Sequence, residues 1–292
     1  MRIGVVVLPE LRWREQVTQW QQLDEWGFHA AYTYDHLAWR TLADSPWFAT
    51  VPTLAAAALA TSRIRIGTWV ASPNFRHPVP FAKELMTLDD LSDGRLVLGV
   101  GAGGGGFDAT VLGGDELSPG QRVARFAAFV ELLDRLLTHP RTSYGGEWFR
   151  AVEARTIPGC VQQPRPPFVV AANGPKAMRV VAQFGQGWAT TGVTSPDEGE
   201  QRWWAALPDA IGRLDEALQA EGREPADVQR YLSVDASAQF ALSSIEQVRD
   251  VLGRAGQLGF SEVVVHWPRP EGVYAGDVKV LEQVAAEVLP TL

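Results

Sequence analysis

The chain has 292 residues, of which 46% are hydrophobic and 21% charged, and its formal net charge is −8. This composition is typical of a folded globular protein and excludes a disordered chain. The acidic balance argues against broad binding to nucleic acid, because a phosphate footprint needs clustered Lys and Arg. The single cysteine, Cys160, excludes an internal disulfide framework.

The N-terminal segment turns polar by Glu10, too soon for the apolar region of a secretory signal. No apolar run approaches the roughly 20 residues that a membrane-spanning helix needs. We therefore expect a cytoplasmic protein that does not bind membranes.

Short apolar runs alternate along the chain with longer amphipathic segments. Segment 3–7 is β-branched and strand-like, whereas Val17, Trp20, Leu23 and Trp26 recur at helical spacing before Gly27. The predicted strands are 3–7, 30–34, 64–70, 96–100, 168–172, 187–191, the extended segment 230–242, and 262–266. The predicted helices are 14–26, 52–61, 81–91, 121–137, 176–184, 201–221, 245–258 and 278–289.

Eight strands, each followed by a helix, are typical of a (β/α)8 TIM barrel. A doubly wound sheet seldom needs eight evenly spaced units, so we expect one barrel domain over residues 1–292. The segment 139–167 is rich in Pro, Gly and aromatic residues, and 144–148 has the pattern of a hairpin turn. We interpret it as a surface insertion, because strand–helix alternation resumes directly after it.

Candidate chemistry follows from the barrel, whose reactive groups come from the carboxyl ends of strands. Asp35 and His36 follow the second strand, where His36 can move a proton near neutral pH. The structural alternative is a turn-capping Asp35 and a packed His36; at a strand end we favour the functional role. Ser72 follows the third strand, where its hydroxyl can bond a ligand or serve an ordinary turn.

Glycines follow the fourth strand, and Gly99, Gly101 and Gly104 formally match the dinucleotide pattern G-x-G-x-x-G. No helix starts there and the strand is not the first of a βαβ unit, so we reject that interpretation. The glycines permit close approach of the backbone to a flat ligand, or a mobile lid; the alternative is a flexible loop.

The fifth strand leads through Ala172, Asn173 and Gly174 into a helix. Free N–H groups at a helix start suit an anionic phosphate, although an ordinary strand–helix turn fits the local sequence equally well. The five histidines are widely separated and form no H-x-H pair, so we expect no metal site. Several tryptophans, among them Trp39 and Trp69, lie near strand ends, where they can wall an aromatic pocket.

These features in order resemble the bacterial luciferase-like superfamily of flavin- and deazaflavin-dependent oxidoreductases. The Asp-His pair after the second strand is typical of members that use coenzyme F420, a deazaflavin. The motifs that carry the resemblance are 26–28 (WGF), 34–36 (YDH), 66–68 (IGT), 72–78 (SPNFRHP), 93–101 (DGRLVLGVG), 171–175 (AANGP) and 185–188 (GQGW).

The resemblance implies roles for individual residues around the coenzyme. Asp35 bonds the polar edge of the ring system, and His36 lies beside the ring as proton donor, proton acceptor or stabiliser of the anionic ring. The remaining implied coenzyme contacts are Trp69 and Val70 (a non-prolyl cis peptide behind the ring), Ser72 (ring or side chain), Ala102 and Gly103 (ribityl portion), and Ala172, Asn173 and Gly174 (phosphate region).

One departure limits the implied activity. Deazaflavin-dependent sugar-phosphate dehydrogenases of this family have an acidic glutamate just after the fourth-strand glycines, whereas no carboxylate precedes Asp108 here. We therefore do not transfer sugar-phosphate oxidation, and the substrate stays open.

Three hypotheses remain, in order of preference. The first is an F420-dependent oxidoreductase that passes hydride between the deazaflavin C5 and a small organic substrate. The second is an FMN-dependent monooxygenase supplied by a separate flavin reductase, and the third is a coenzyme-binding protein without catalysis. The family also implies a homodimer formed through outer helices, for which the apolar faces of 52–61 and 81–91 are candidates.

Overall fold

A closed barrel of parallel strands forms the centre of the protein. It is seen in a computed structural model that describes residues 1–292, except for the side chain of Pro196. The barrel confirms the predicted (β/α)8 architecture. Its strands are Arg2–Val6 (β1), Ala30–Thr33 (β2), Arg65–Ala71 (β3), Leu96–Gly101 (β4), Phe168–Ala171 (β7), Gly187–Thr190 (β8), Gln229–Ser233 (β9) and Glu262–His266 (β10); a hairpin of Arg141–Gly145 (β5) and Arg150–Arg155 (β6) lies outside it. Around the barrel the order is β1-β10-β9-β8-β7-β4-β3-β2, and every neighbouring pair is parallel.

Amphipathic helices pack around this barrel and bury their apolar faces against it. Gly27 ends the first helix in the left-handed conformation with φ 83°, which glycine adopts at no steric cost. The helices are Trp13–Trp26 (α1), Thr50–Ala60 (α2), Pro78–Leu91 (α3), Phe107–Thr110 (α4), Pro119–Thr138 (α5), Pro175–Phe184 (α6), Glu200–Ala205 (α7), Leu207–Ala220 (α8), Ile245–Gln257 (α9) and Val278–Gln283 (α10).

Three predicted elements differ from the structure. The single helix predicted over 201–221 is divided at Ala206, because Pro208 in the first turn of α8 has no N–H to continue the ladder from α7. The prediction of extended chain over 230–242 is wrong beyond Ser233, where short 3-10 turns follow β9. The predicted helix 278–289 is regular only to Gln283 and continues as a wider π-turn over 284–288.

The insertion 139–167 carries the two antiparallel strands β5 and β6, as predicted. It packs against α5, where the Tyr144 hydroxyl donates to Glu131 at 3.3 Å. Cys160, within this insertion, is buried, and burial together with the charge of Asp89 raises the pKa of its thiol to about 12.

The amino end of the barrel is closed by a buried polar cluster around Glu262. Tyr32 donates to Glu262 Oε1 at 2.8 Å, and Arg2 Nε lies 3.6 Å from Oε2. Desolvation raises the pKa of Glu262 to about 7. Burial and the charges of Arg2 and Arg65 lower the pKa of His29 to about 4, so His29 is neutral at physiological pH although it lies 3.7 Å from Glu262.

Among the residues that the structure describes, no helix is long and apolar enough to cross a membrane.

Candidate active site

A cavity of about 540 Å³ opens at the carboxyl end of the barrel. Its wall comes from residues at or just beyond the ends of β2, β3, β7, β8, β9 and β10. This is the face on which a (β/α)8 barrel assembles reactive groups. Of the predicted site residues, those on the wall are His36, Trp69, Val70, Ala172 and Asn173.

One side of the cavity is formed by the backbone and side chains of Trp69 and Val70. The peptide bond between them is cis, as the family resemblance implies. Trp69 Nε1 donates to Ser233 Oγ at 3.3 Å, which ties β3 to the end of β9 across the barrel. A Cβ on Gly101 would lie 2.9 Å from Val70 Cγ2, so that glycine is required by strand packing behind Val70.

His36 is fixed by a carboxylate from the segment that follows the glycines. Its Nδ1 donates to Asp108 Oδ2 at 2.6 Å, while Asp108 Oδ1 accepts from the N–H groups of Leu37 at 2.9 Å and Ala38 at 3.4 Å. With Nδ1 protonated, the neutral ring has its lone pair on Nε2. The described residues offer Nε2 no hydrogen bond, and the His36 side chain is 32% exposed, so Nε2 can exchange a proton with a ligand.

Asp108 is the first carboxylate after the fourth-strand glycines, and it holds the histidine without lining the cavity wall. Its backbone contacts also fix the chain that follows His36. We therefore assign Asp108 as a positioning residue for His36.

Asp35 is turned away from the cavity and is 1% exposed. Arg76 donates a hydrogen bond to each of its carboxylate oxygens, with Nε 2.6 Å from Oδ2 and Nη2 2.7 Å from Oδ1. Arg76 also donates to Glu84 at 3.0 Å and lies over the ring of Phe81. In this geometry Asp35 anchors the segment that carries His36; its implied contact with the coenzyme ring stays a prediction.

The other predicted contacts lie beside the cavity, outside its wall. Ser72 is buried and its hydroxyl accepts from the N–H of Asn74 at 3.4 Å. Gly103 packs under Asn74, where a Cβ would come within 2.7 Å of the amide. Ala102 is half-buried and Gly174 exposed. The roles of Ser72, Ala102, Gly103 and Gly174 toward a coenzyme stay predictions.

The segment that leads into α6 lines another side of the cavity through Ala172 and Asn173. Asn173 Oδ1 accepts from the Thr190 hydroxyl at 2.7 Å, and Asn173 Nδ2 donates to Gly192 O at 2.9 Å, which joins the ends of β7 and β8. No described side chain caps the N-terminus of α6. Thr194 lines the cavity, and its buried hydroxyl has no hydrogen-bond partner among the described residues. An anionic group fits here, because an uncapped helix start and a vacant hydroxyl both offer donors.

A second group of polar residues on the cavity wall was missed by the sequence analysis. His266 Nδ1 donates to Asp235 Oδ2 at 2.9 Å, and its Nε2 lies 2.8 Å from the hydroxyl of Tyr34. That hydroxyl lies 3.1 Å from the hydroxyl of Tyr274. The one signal available in the sequence was His266 as the last residue of a predicted strand.

Burial governs the protonation of these tyrosines. Desolvation and the neighbouring Tyr274 raise the pKa of Tyr34 well above its usual value. The pKa of Tyr274 is also raised, by burial first and by the charge of Asp235. Both phenols are therefore protonated at neutral pH.

The cavity wall has few charges. Among the described lining residues, Arg40 is the one with a permanent positive charge and Asp235 the one carboxylate. Over the part of the chain with described side chains, no group of three or more His, Cys, Asp or Glu residues is arranged to hold a metal ion.

Comparison with known sequences gives a family match over most of the chain. The model of the luciferase-like monooxygenase family matches residues 1–269. An F420-dependent glucose-6-phosphate dehydrogenase of Intrasporangium calvum is 29% identical over 329 aligned positions, which cover 96% of this chain and 95% of that protein.

Solved structures share the fold. An F420-dependent secondary alcohol dehydrogenase, in complex with an F420-acetone adduct, superposes with a TM-score of 0.82 at 17% identity over 99% of this chain and 98% of its own. A monooxygenase from Streptomyces bottropensis gives 0.76 at 21% identity over 100% and 99%. At these identities the matches establish the fold alone.

Proposed function

Because the chain belongs to the luciferase-like monooxygenase family, we propose that it is an oxidoreductase in which bound coenzyme F420 exchanges hydride with a small organic substrate. The observation that carries this proposal is His36, which lines the cavity together with Trp69 and Val70 and is held at Nδ1 by Asp108, so that its Nε2 is left for a ligand. The curated relative named as F420-dependent supports the choice of coenzyme.

The residues present fit a planar ring with an anionic tail. Trp69 and Val70 offer a flat apolar surface, and the uncapped start of α6 with the vacant Thr194 hydroxyl offers donors for a phosphate. When bound, the deazaflavin supplies two-electron chemistry by exchanging hydride at its C5. His36 Nε2 holds or releases a proton beside it, and Asp108 keeps the imidazole in the orientation that this requires.

The substrate proposed is neutral and has a hydroxyl or carbonyl group. A sugar phosphate needs several cations, whereas the described wall has the single guanidinium of Arg40. Asp108, which occupies the segment where the related sugar-phosphate dehydrogenases have their glutamate, is used to hold His36.

The test is a titration of the purified protein with F420 and with FMN, each followed by quenching of tryptophan fluorescence. Trp39 and Trp69 line the cavity, so a bound ring lies within reach of both indoles. Tight F420 binding with weak FMN binding is the expected result. The reverse preference would transfer the protein to the FMN-dependent monooxygenase function, and binding of neither would overturn the proposal.

A further inference from the structure

Four residues from separate parts of the chain form a continuous hydrogen-bonded chain in the cavity wall. Asp235 follows β9, His266 ends β10, Tyr274 lies in the loop beyond it, and Tyr34 follows β2. The consecutive distances are 2.9 Å from Asp235 to His266, 2.8 Å from His266 to Tyr34 and 3.1 Å from Tyr34 to Tyr274. We refer to these residues as the relay.

The hydrogens of the relay have a defined direction. Asp235 Oδ2 accepts from both the N–H and the Nδ1 of His266, while Oδ1 accepts from the N–H of Ala241. Since Nδ1 donates, Nε2 of the neutral ring must accept, and Tyr34 must donate to it. The Tyr34 oxygen is then an acceptor for the Tyr274 hydroxyl.

Tyr274 is the end of the relay that can contact a ligand. It is half-buried and lines the cavity, whereas the side chains of His266 and Asp235 are almost fully buried. Its ring stacks on His266 with centroids 3.6 Å apart and planes 8° apart, which fixes the position of its hydroxyl. With its hydrogen given to Tyr34, the Tyr274 oxygen can accept a hydrogen bond from a substrate hydroxyl.

We propose that Tyr274 is the catalytic acid–base residue for the hydroxyl or carbonyl group of the substrate, and that Tyr34 and His266 conduct its proton toward Asp235. This proposal rests on the proposed function, which supplies F420 as the hydride acceptor. In alcohol oxidation the O–H bond breaks, the C=O bond forms, and the carbon's hydride leaves to the oxidised deazaflavin.

One proton moves through the relay in that step. The substrate proton goes to the Tyr274 oxygen, the Tyr274 hydrogen goes to Tyr34, and the Tyr34 hydrogen goes to His266 Nε2. The resulting imidazolium lies against the carboxylate of Asp235, a positioning residue that stabilises it. Carbonyl reduction reverses every transfer. His36, whose ring also contacts that of Tyr34, is left to serve the coenzyme.

The first experiment uses coenzyme-free protein labelled with ¹⁵N in its histidines. Wild-type His266 is expected as the Nδ1-protonated tautomer, with an Nε2 resonance that shifts in Tyr34→Phe and, through Tyr34, in Tyr274→Phe. Tyr231→Phe is the matched control, because it removes a buried tyrosine hydroxyl outside the cavity. An Nε2-protonated His266, or an Nε2 resonance unchanged in Tyr274→Phe, would overturn the relay whether or not F420 binds.

The second experiment follows reduction of F420 by 2-propanol, cyclohexanol and 1-phenylethanol in H₂O and D₂O. Tyr274→Phe is expected to lower the rate by about 10²- to 10⁴-fold and to abolish the solvent isotope effect, with F420 affinity unchanged. Tyr231→Phe should retain both. A wild-type rate in Tyr274→Phe, or no reduction by any of these alcohols in wild-type protein that binds F420, would overturn the assignment. Absence of F420 binding itself would instead refute the proposed function.

Discussion

The two ends of the barrel use the same kinds of residue in opposite ways. At the carboxyl end, Asp108 and Asp235 each hold the Nδ1 of a histidine and are satisfied by backbone N–H groups. At the amino end, Glu262 Oε2 lies 3.6 Å from Arg2 Nε and has no hydrogen bond from a described residue.

The spaces beside these groups differ in the same sense. The carboxyl-end cavity measures about 540 Å³, whereas the amino-end cavity measures about 100 Å³. Polar groups at the carboxyl end are oriented by a partner and left open toward a ligand-sized space. Those at the amino end face one another. We infer that the first set serves chemistry and that the second affects stability, as is general for this fold.

The largest effect is expected from loss of the His36 imidazole at the carboxyl end of the barrel. His36→Ala should lower turnover by about 10²- to 10⁴-fold, because it removes the group poised for proton transfer. Coenzyme affinity should change little. The measurement is steady-state turnover beside an F420 titration, with His139→Ala, an exposed histidine, as the control. Unchanged turnover in His36→Ala would refute the role.

Asp35 is an exception to this comparison, because it lies at the carboxyl end but forms a structural ion pair with Arg76. Arg76→Ala would leave this carboxylate buried without its guanidinium, and should reduce the free energy of unfolding by about 3–5 kcal/mol. Denaturant unfolding measures the change. The matched control is Arg249→Ala, which breaks the exposed pair with Glu287 and should cost less than about 1 kcal/mol. If both variants lost the same small amount of unfolding free energy, the buried Asp35 carboxylate would not depend on Arg76 for its stability.

Glu262 gives the amino end a distinct pH dependence. Its pKa in the folded protein, about 7, lies above the ordinary value of 4.5. The stability from this shift is therefore full below about pH 4.5 and is lost as the pH rises through about 7.

Glu262→Gln removes this titration while leaving that of His29 in place. The difference in unfolding free energy between wild type and Glu262→Gln should therefore fall by about 2 kcal/mol from pH 5 to pH 8. Denaturant unfolding at several pH values measures it. A difference that stays constant with pH would show that Glu262 titrates alike in the folded and unfolded chains.

The fold was predictable because each strand and helix carries its own periodicity. The errors arose where a local feature interrupts a pattern. Pro208 divides a segment whose apolar spacing is continuous. The residues after β9 have the β-propensity of an extended chain, but the hydrogen bond from the Ala241 N–H to Asp235 holds them in a turn. Neither interruption alters the order of strands, so the barrel closes as expected.

The site was predictable only in part. His36, Trp69 and Asn173 follow from position at a strand end, which the sequence indicates. Contacts between distant segments do not: Tyr34 and His266 are 232 positions apart and meet only when β1 closes the barrel. Similarly, Asp35 looks like a ligand until Arg76 is placed against it.

The buried thiol of Cys160 makes the protein convenient for spectroscopic labelling. Thiolate is the form that reacts with a maleimide, and a pKa of about 12 leaves Cys160 protonated at neutral pH. A cysteine introduced at Leu112, which is 70% exposed on the segment after the glycines, would then be the one reactive thiol. A fluorophore attached there would report motion of the segment that carries Asp108 without any replacement of the native cysteine.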